Sequence, residues 1–197
     1  MENTFYILGF AGSLRKGSYN RSLLQAAREL LPANVELELF DLGGIPPYNQ
    51  DLELQPSSKV TEFKAKIRAC DAILIATPEY NYSIPGVLKN AIDWASRPYG
   101  DNSFEDKAVA FMGASPGMIG TARAQYHLRQ SCVFLNMHPL NQPEVMVSYA
   151  ADRIKDGKVT DPVTRDLIKE LLEGLVEWAT RLRLGKVRQE ERVQKAA

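Results

Sequence analysis

The chain has 197 residues, enough for one domain with a sizeable core. Its 24 Lys and Arg balance 24 Asp and Glu, so the charge points to no nucleic-acid partner and no anionic membrane surface. The first residues lack the basic and apolar regions of a secretory signal, and no apolar run is long enough to span a bilayer; a cytoplasmic protein is expected. Cys70 and Cys132 form no CxxC pair and are expected to be reduced, buried apolar residues.

Strand and helix patterns alternate along the chain. Phe5 to Ala11 is an apolar run that reads as a buried strand. It breaks into Gly12-Ser13-Leu14-Arg15-Lys16-Gly17-Ser18-Tyr19-Asn20, and a helical pattern begins near Tyr19, with an apolar face over Arg21 to Leu31. Val35 to Phe40 alternates apolar and acidic residues, as an edge or half-exposed strand does. Gly43 to Ser57 holds Pro46, Pro47 and Pro56 and is a loop. Lys59 to Ala69 reads as a helix, Ala72 to Thr77 as a strand buried on both faces, and Gly86 to Arg97 as the next helix. Ala108 to Gly113 repeats the buried-strand pattern, and a helix follows from about Ile119 to Leu135. Glu144 to Ser148 is the candidate fifth strand. Asp161 to Leu184 is a closing helix that starts at Asp161-Pro162. Residues 1–184 are thus expected to form a single domain. Gly185 to Ala197 is charged, lacks an apolar stripe and reads as a flexible tail.

The order βαβαβαβαβα implies a parallel sheet covered by helices on both sides. With right-handed crossovers, the simplest topology is a flavodoxin-like three-layer sandwich with a five-stranded parallel sheet of order 2-1-3-4-5. Ligands of such folds sit beyond the carboxyl ends of the strands. The loop after the first strand therefore matters most. A strand, a loop of small residues and a helix start together make an anion site, because backbone N–H groups and the helix dipole favour negative charge. Ser13, Ser18 and Asn20 add donors, and Arg15 offers a forked cation suited to phosphate. Gly12 and Gly17 have the spacing of a Walker-type loop, but Ser18 and Tyr19 stand where that motif needs Lys and Ser/Thr. Gly9 and Gly12 also miss the dinucleotide fingerprint, so a terminal monophosphate suits the loop better. An ordinary turn whose serine caps the helix is the plainer alternative.

Two further loops are expected at the same edge. Thr77 to Gly86 carries Pro78, Glu79, Tyr80, Asn81, Tyr82 and Pro85; a stiff backbone with aromatic and amide groups suits a planar heteroaromatic ring. Surface tyrosines on a long loop are the alternative. Gly113 to Thr121 holds Ser115 among Gly113, Gly117 and Gly120, which permits close approach to a flat ligand. One loop for phosphate and two for a planar ring describe a flavin mononucleotide site.

On Gly12 to Asn20, Pro78 to Trp94 and Ser115 to Gly120, the chain resembles the NADPH-dependent FMN reductase family, over roughly residues 4 to 180. Thr121 stands where that family often has a second glycine. The likeness is greatest to bacterial quinone and chromate reductases, with azo-dye and flavin reductases as neighbours. The resemblance implies that Ser13, Arg15, Ser18 and Asn20 hold the FMN phosphate. It implies that Pro78, Glu79, Tyr80 and Asn81 line the isoalloxazine, largely through backbone groups, and that Ser115 and Gly117 close its far side. Tyr82 and Arg97 are candidates for the NADPH or NADH co-substrate, although Arg97 also reads as a helix C-terminal cation. No catalytic side chain is expected, because the cofactor carries the chemistry. Hydride would pass from the nicotinamide to flavin N5, and two electrons then to a small-molecule acceptor, in ping-pong order. A homodimer or homotetramer is implied, with Gly86 to Arg97 in the contact. Arg123, Tyr126 and Glu144 form a polar cluster near the site or an interface. His127 and His138 lack partners at metal-ligand spacing, so no metal is expected. The rival readings are an electron-carrier flavodoxin without NAD(P)H turnover and a flavin-responsive interaction protein. A phosphatase would need a Cys or Asp that the first loop lacks.

Overall fold

The computed structural model describes residues 4–196, and the side chains of these except 190, 191 and 193–196. The elements run β1 Phe5–Ala11, α1 Tyr19–Glu29, β2 Val35–Phe40, α2 Ser58–Ala69, β3 Ala72–Ala76, α3 Gly86–Ala95, β4 Ala108–Ala114 and α4 Ala122–Leu135. Then come β5 His138–Pro139, β6 Val145–Val147, α5 Ala150–Arg153, the β7 Ile154–Lys155 and β8 Lys158–Val159 pair, and α6 Pro162–Ala196. The main sheet is parallel in the order β2-β1-β3-β4-β5, with β6 also on β4. Every carboxyl end therefore opens on one edge, as the sequence predicts for a flavodoxin-like sandwich.

Strand alternation builds two cores. In β1, Ile7 and Ala11 face one way, with Leu74 of β3 and Met112 of β4, onto α1 and α6. Leu8 and Phe10 face the other way, with Ile73, Ile75 and Phe111, onto α2, α3 and α4. On that side Phe63 stacks with Phe40 at 4.9 Å and meets Phe10 edge-on at 5.2 Å. β3 is buried along its whole length, which is why its sequence reads as an unbroken apolar run. Both cysteines lie in the second core, where burial pushes the thiol of Cys70 up to about 11 and that of Cys132 up to about 12.

Three boundaries differ from the sequence expectation. The fifth strand position is filled twice: β5 pairs with Ala108 and Val109, and β6 pairs with Met112, Gly113 and Ala114. Pro139 and Pro143 lack the N–H that a continuous ladder needs, so pairing lapses between the two segments. α4 begins at Ala122 rather than near Ile119, because Gly120 and Thr121 have positive φ of 61° and 73°. α6 continues through Gly185 to Ala196, so the boundary expected at Leu184 falls inside a helix. Asp161 starts α6 by accepting the Thr164 N–H at 2.8 Å, and that pair of bonds to Thr164 holds its carboxyl below the usual range. Among the described residues no helix is long and apolar enough to cross a membrane.

One buried amide ties the two halves of the ligand edge together. Asn20, only 2 % exposed on the first turn of α1, donates to Ala114 O at 3.1 Å and accepts from Ala114 N at 3.0 Å. Asn20→Ala strands both groups at the end of β4. It is expected to lower stability by about 1–3 kcal/mol, read as a lower urea midpoint at unchanged slope.

Candidate flavin site

The first loop leaves β1 still paired, with Gly12 N–H on Ala76 O at 2.9 Å. A Cβ on Gly12 would sit 3.1 Å from Leu88 and 3.3 Å from the Pro78 ring, so this loop and the loop after β3 touch through glycine. Ser13 and Ser18 are both buried. Ser18 is the N-cap of α1 but its hydroxyl makes no capping bond, so the helix start keeps its N–H groups for another acceptor. The stretch 12–20 carries Arg15 and Lys16 and no acid. Arg15 folds over its own loop, donating to Gly17 O at 2.5 Å, with its guanidinium 5.5 Å from the Tyr19 ring centre. Behind the loop, Arg21 donates to Ser13 O at 3.2 Å and pairs with Asp41 at 2.8 Å. The Gly43 N–H, aided by Arg21, keeps the Asp41 carboxyl below its ordinary range.

The loop after β3 is stiffened differently. Tyr80 and Ser83 exchange both backbone bonds at 3.2 and 3.0 Å, around Asn81 and Tyr82 with φ of 51° and 67°. That is a type I′ turn, and it presents Tyr80 and Tyr82 outward, 53 % and 68 % exposed. Glu79 faces inward. Its carboxylate, 7 % exposed, accepts from Arg123 N at 3.0 Å and Ala124 N at 3.2 Å and pairs with the Arg123 guanidinium at 2.5 Å. Glu79 thus fills the N-terminus of α4, whose own N-cap, Thr121, makes no capping bond with its side chain. Arg123 also lies 3.4 Å from the Tyr82 ring centre, and His127 Nδ1 meets Ser83 Oγ at 2.9 Å. The turn is clamped from α4 at both ends.

The loop after β4 is held by close approach. A Cβ on Gly113 would lie 1.9 Å from Thr121 Oγ1 and 2.5 Å from Thr77 O. Ser115 N–H donates to Val147 O at 3.0 Å, and its hydroxyl donates to Gly117 O at 3.3 Å. Gly117 itself is exposed, with open space where a Cβ would stand.

The fold therefore brings Ser13, Arg15, Ser18, Pro78, Tyr80, Asn81, Tyr82, Ser115 and Gly117 to one edge. Asn20 is there too, but its side chain is taken by Ala114, which leaves its backbone N–H on the first turn of α1. The side chain of Glu79 is likewise taken, by α4. Arg97 is elsewhere: it follows the far end of α3, about 15 Å of helix from Pro85. There it stacks 4.0 Å from the Tyr99 ring centre, and its carbonyl accepts from Lys64. Tyr126 reaches Glu144 at 3.4 Å while Arg123 turns to Glu79 instead. His138 faces Asp106 at 2.5 Å, at the opposite edge of the sheet. Ser148, the last residue of the expected fifth strand, and Tyr149, which no sequence motif marks, are carried by β6 to the same edge beside Gly117.

The chain matches the model of the NADPH-dependent FMN reductase family over residues 5–152. It is 52% identical over 185 residues to an NAD(P)H-dependent FMN reductase of Pseudomonas aeruginosa, covering 93% of this chain and 100% of that one. It is 41% identical over 168 residues to a 2-hydroxy-1,4-benzoquinone reductase of a Burkholderia species, covering 85% and 92%. Among solved structures, the flavoenzyme NAD(P)H:(acceptor) oxidoreductase FerB of Paracoccus denitrificans superposes with a TM-score of 0.83 at 37% identity, covering 90% of this chain and 98% of that one. The fold and its loop edge define a flavodoxin-like oxidoreductase. Within that class, the chain belongs to the NADPH-dependent FMN reductase family.

Glu79→Gln removes the charge opposite Arg123 while keeping the shape. It is expected to cost about 1–3 kcal/mol of stability, and to release amide protection in the first turn of α4 before the sheet, as read by hydrogen exchange.

Proposed function

We propose that the protein binds FMN at this edge and uses it to pass electrons from NADPH or NADH to a quinone, a free flavin or a similar small acceptor. The observation that carries the reading is the uncapped, acid-free start of α1 with its buried Ser13 and Ser18, set against the clamped tyrosine turn. These residues fit the cofactor. Ser13, Ser18 and Arg15, with the first N–H groups of α1 including that of Asn20, form a phosphate cradle. Backbone groups of Pro78, Glu79, Tyr80 and Asn81 on one side, and of Ser115 and Gly117 on the other, leave a slot for a planar ring. When bound, FMN supplies two-electron chemistry, so that NAD(P)H, a proton and a quinone become NAD(P)⁺ and a hydroquinone.

The chain's own part is binding and orientation. Glu79 and Arg123 hold the turn that carries Tyr80 and Tyr82, so both rings stand at the mouth where nicotinamide and acceptor must alternate. That shared mouth predicts ping-pong kinetics. Arg15, whose guanidinium donates to Gly17 O, would hold the phosphate, a charged and better acceptor than that carbonyl. A carrier without NAD(P)H turnover is the less favoured reading, since the relatives bear oxidoreductase names.

The same reading gives residues 1–184 to the flavin domain, with α6 running on beyond it, and puts the protein in the cytoplasm, a location supported by two free, buried thiols. It makes the protein a homodimer or homotetramer, supported by apolar side chains left open on α4, where Val133 is 83 % and Phe134 72 % exposed.

Anaerobic addition of NADPH or NADH to the FMN-loaded protein is expected to bleach the oxidised-flavin absorbance, and a quinone to restore it. Bound flavin that fails to bleach with either donor would leave the carrier. Arg15→Ala is expected to weaken FMN binding by about 1.5–3 kcal/mol, measured by flavin fluorescence titration.

A further inference from the structure

Tyr149 occupies a position that the fold does not explain. β6 runs parallel to β4, with Val147 level with Ala114, so Ser148 and Tyr149 emerge beside Ser115 at the ligand edge. Three backbone bonds fasten the two loops: Ser115 N to Val147 O and Ala150 N to Ser115 O, each 3.0 Å, and Tyr149 N to Gly117 O at 3.1 Å. Tyr149 itself is left-handed, φ 48° and ψ 49°, a conformation that is cheap for glycine and costly for an aromatic residue. The backbone bonds hold that conformation, but no side-chain hydrogen bond or ring contact among the described residues accounts for an aromatic residue there. The side chain is 49 % exposed, and among the described residues its ring meets no aromatic or cationic partner and its hydroxyl no hydrogen-bond partner. Its neighbours across the loop, Met118 at 70 % and Ile119 at 44 % exposed, are apolar and also open. A bulky aromatic held in a strained conformation, unpartnered, at the rim of a slot for a flat ring is poised for a ligand.

We propose that Tyr149 is a ring-contacting residue of the flavin site, on the Gly117 side. This rests on the FMN reading above. The backbone bonds to Gly117 and Ser115 fix where the side chain starts, and the aromatic ring adds stacking area that glycine, the conformationally natural residue, does not have. It belongs to binding, with the redox chemistry left to the cofactor.

The test compares wild type, Tyr149→Gly, Tyr149→Asn and Tyr149→Phe in the full-length chain, with FMN titrated in and flavin emission followed. Gly and Asn tolerate the left-handed backbone but lack the ring, so their melting temperatures are expected at or above that of wild type. Their FMN dissociation constants are expected to rise by roughly 3- to 10-fold, the size of one aromatic contact, and their bound flavin to emit more strongly. Phe is expected to behave as wild type. Equal affinity and emission in all four proteins would overturn the role of Tyr149 and leave the FMN site standing. A Phe variant as weak as Gly would also overturn it, since the hydroxyl and not the ring would then matter. A wild-type protein that binds no FMN would overturn both.

Discussion

The carboxylate of Glu79 is the contact on which the ligand edge depends. It is buried, it pairs with the Arg123 guanidinium, and it accepts from two orphan N–H groups of a fourteen-residue helix that has no side-chain cap of its own. A charge in that position is worth burying only because Arg123 and the helix dipole answer it together. The same side chain belongs to the loop after β3, so the satisfaction of α4 and the placement of the tyrosine turn are one event. Arg123 extends the arrangement outward by lying on the Tyr82 ring.

Around that anchor, the edge is built by surfaces that come too close for side chains. Gly12 admits Pro78, Gly113 admits Thr121 and Thr77, and Gly120 admits the backbone of Met146. The Gly12–Pro78, Gly113–Thr77 and Gly120–Met146 approaches each join segments belonging to two different strands. The amide of Asn20 completes the set by pinning the helix behind the phosphate cradle to the end of β4. The cradle and the ring slot thus keep a fixed spacing without any residue spanning the site itself.

The parts of this arrangement readable from the sequence are those written locally. The apolar runs gave their strands, the Gly12 to Asn20 segment its turn into a helix, and the alternation of elements the parallel order. The side-chain roles of Asn20 and Glu79 were not readable, because their partners lie 94 and 44 residues away. A polar residue in a ligand motif looks the same whether it faces the ligand or holds the wall. Arg97 looked near the site because it lies close in sequence to the tyrosine loop, yet a helix of ten residues carries it away. Tyr149 gave no local signal, since a left-handed backbone at a tyrosine is imposed by long-range pairing. The lapse between β5 and β6 had a readable cause, in Pro139 and Pro143, but reading it required knowing that both segments share one neighbour.

That lapse has a bearing on how the protein comes apart. β6 is a three-residue strand that among the described residues pairs with β4 alone, and it carries the Ser148–Tyr149 wall. The opposite wall hangs from β3, which is paired on both sides and buried throughout. On heating, the β6 side of the slot is therefore expected to fray before the β3 side. The cofactor would then be lost from a chain whose sheet is still intact, so loss of activity on warming would be a local, recoverable event well before denaturation.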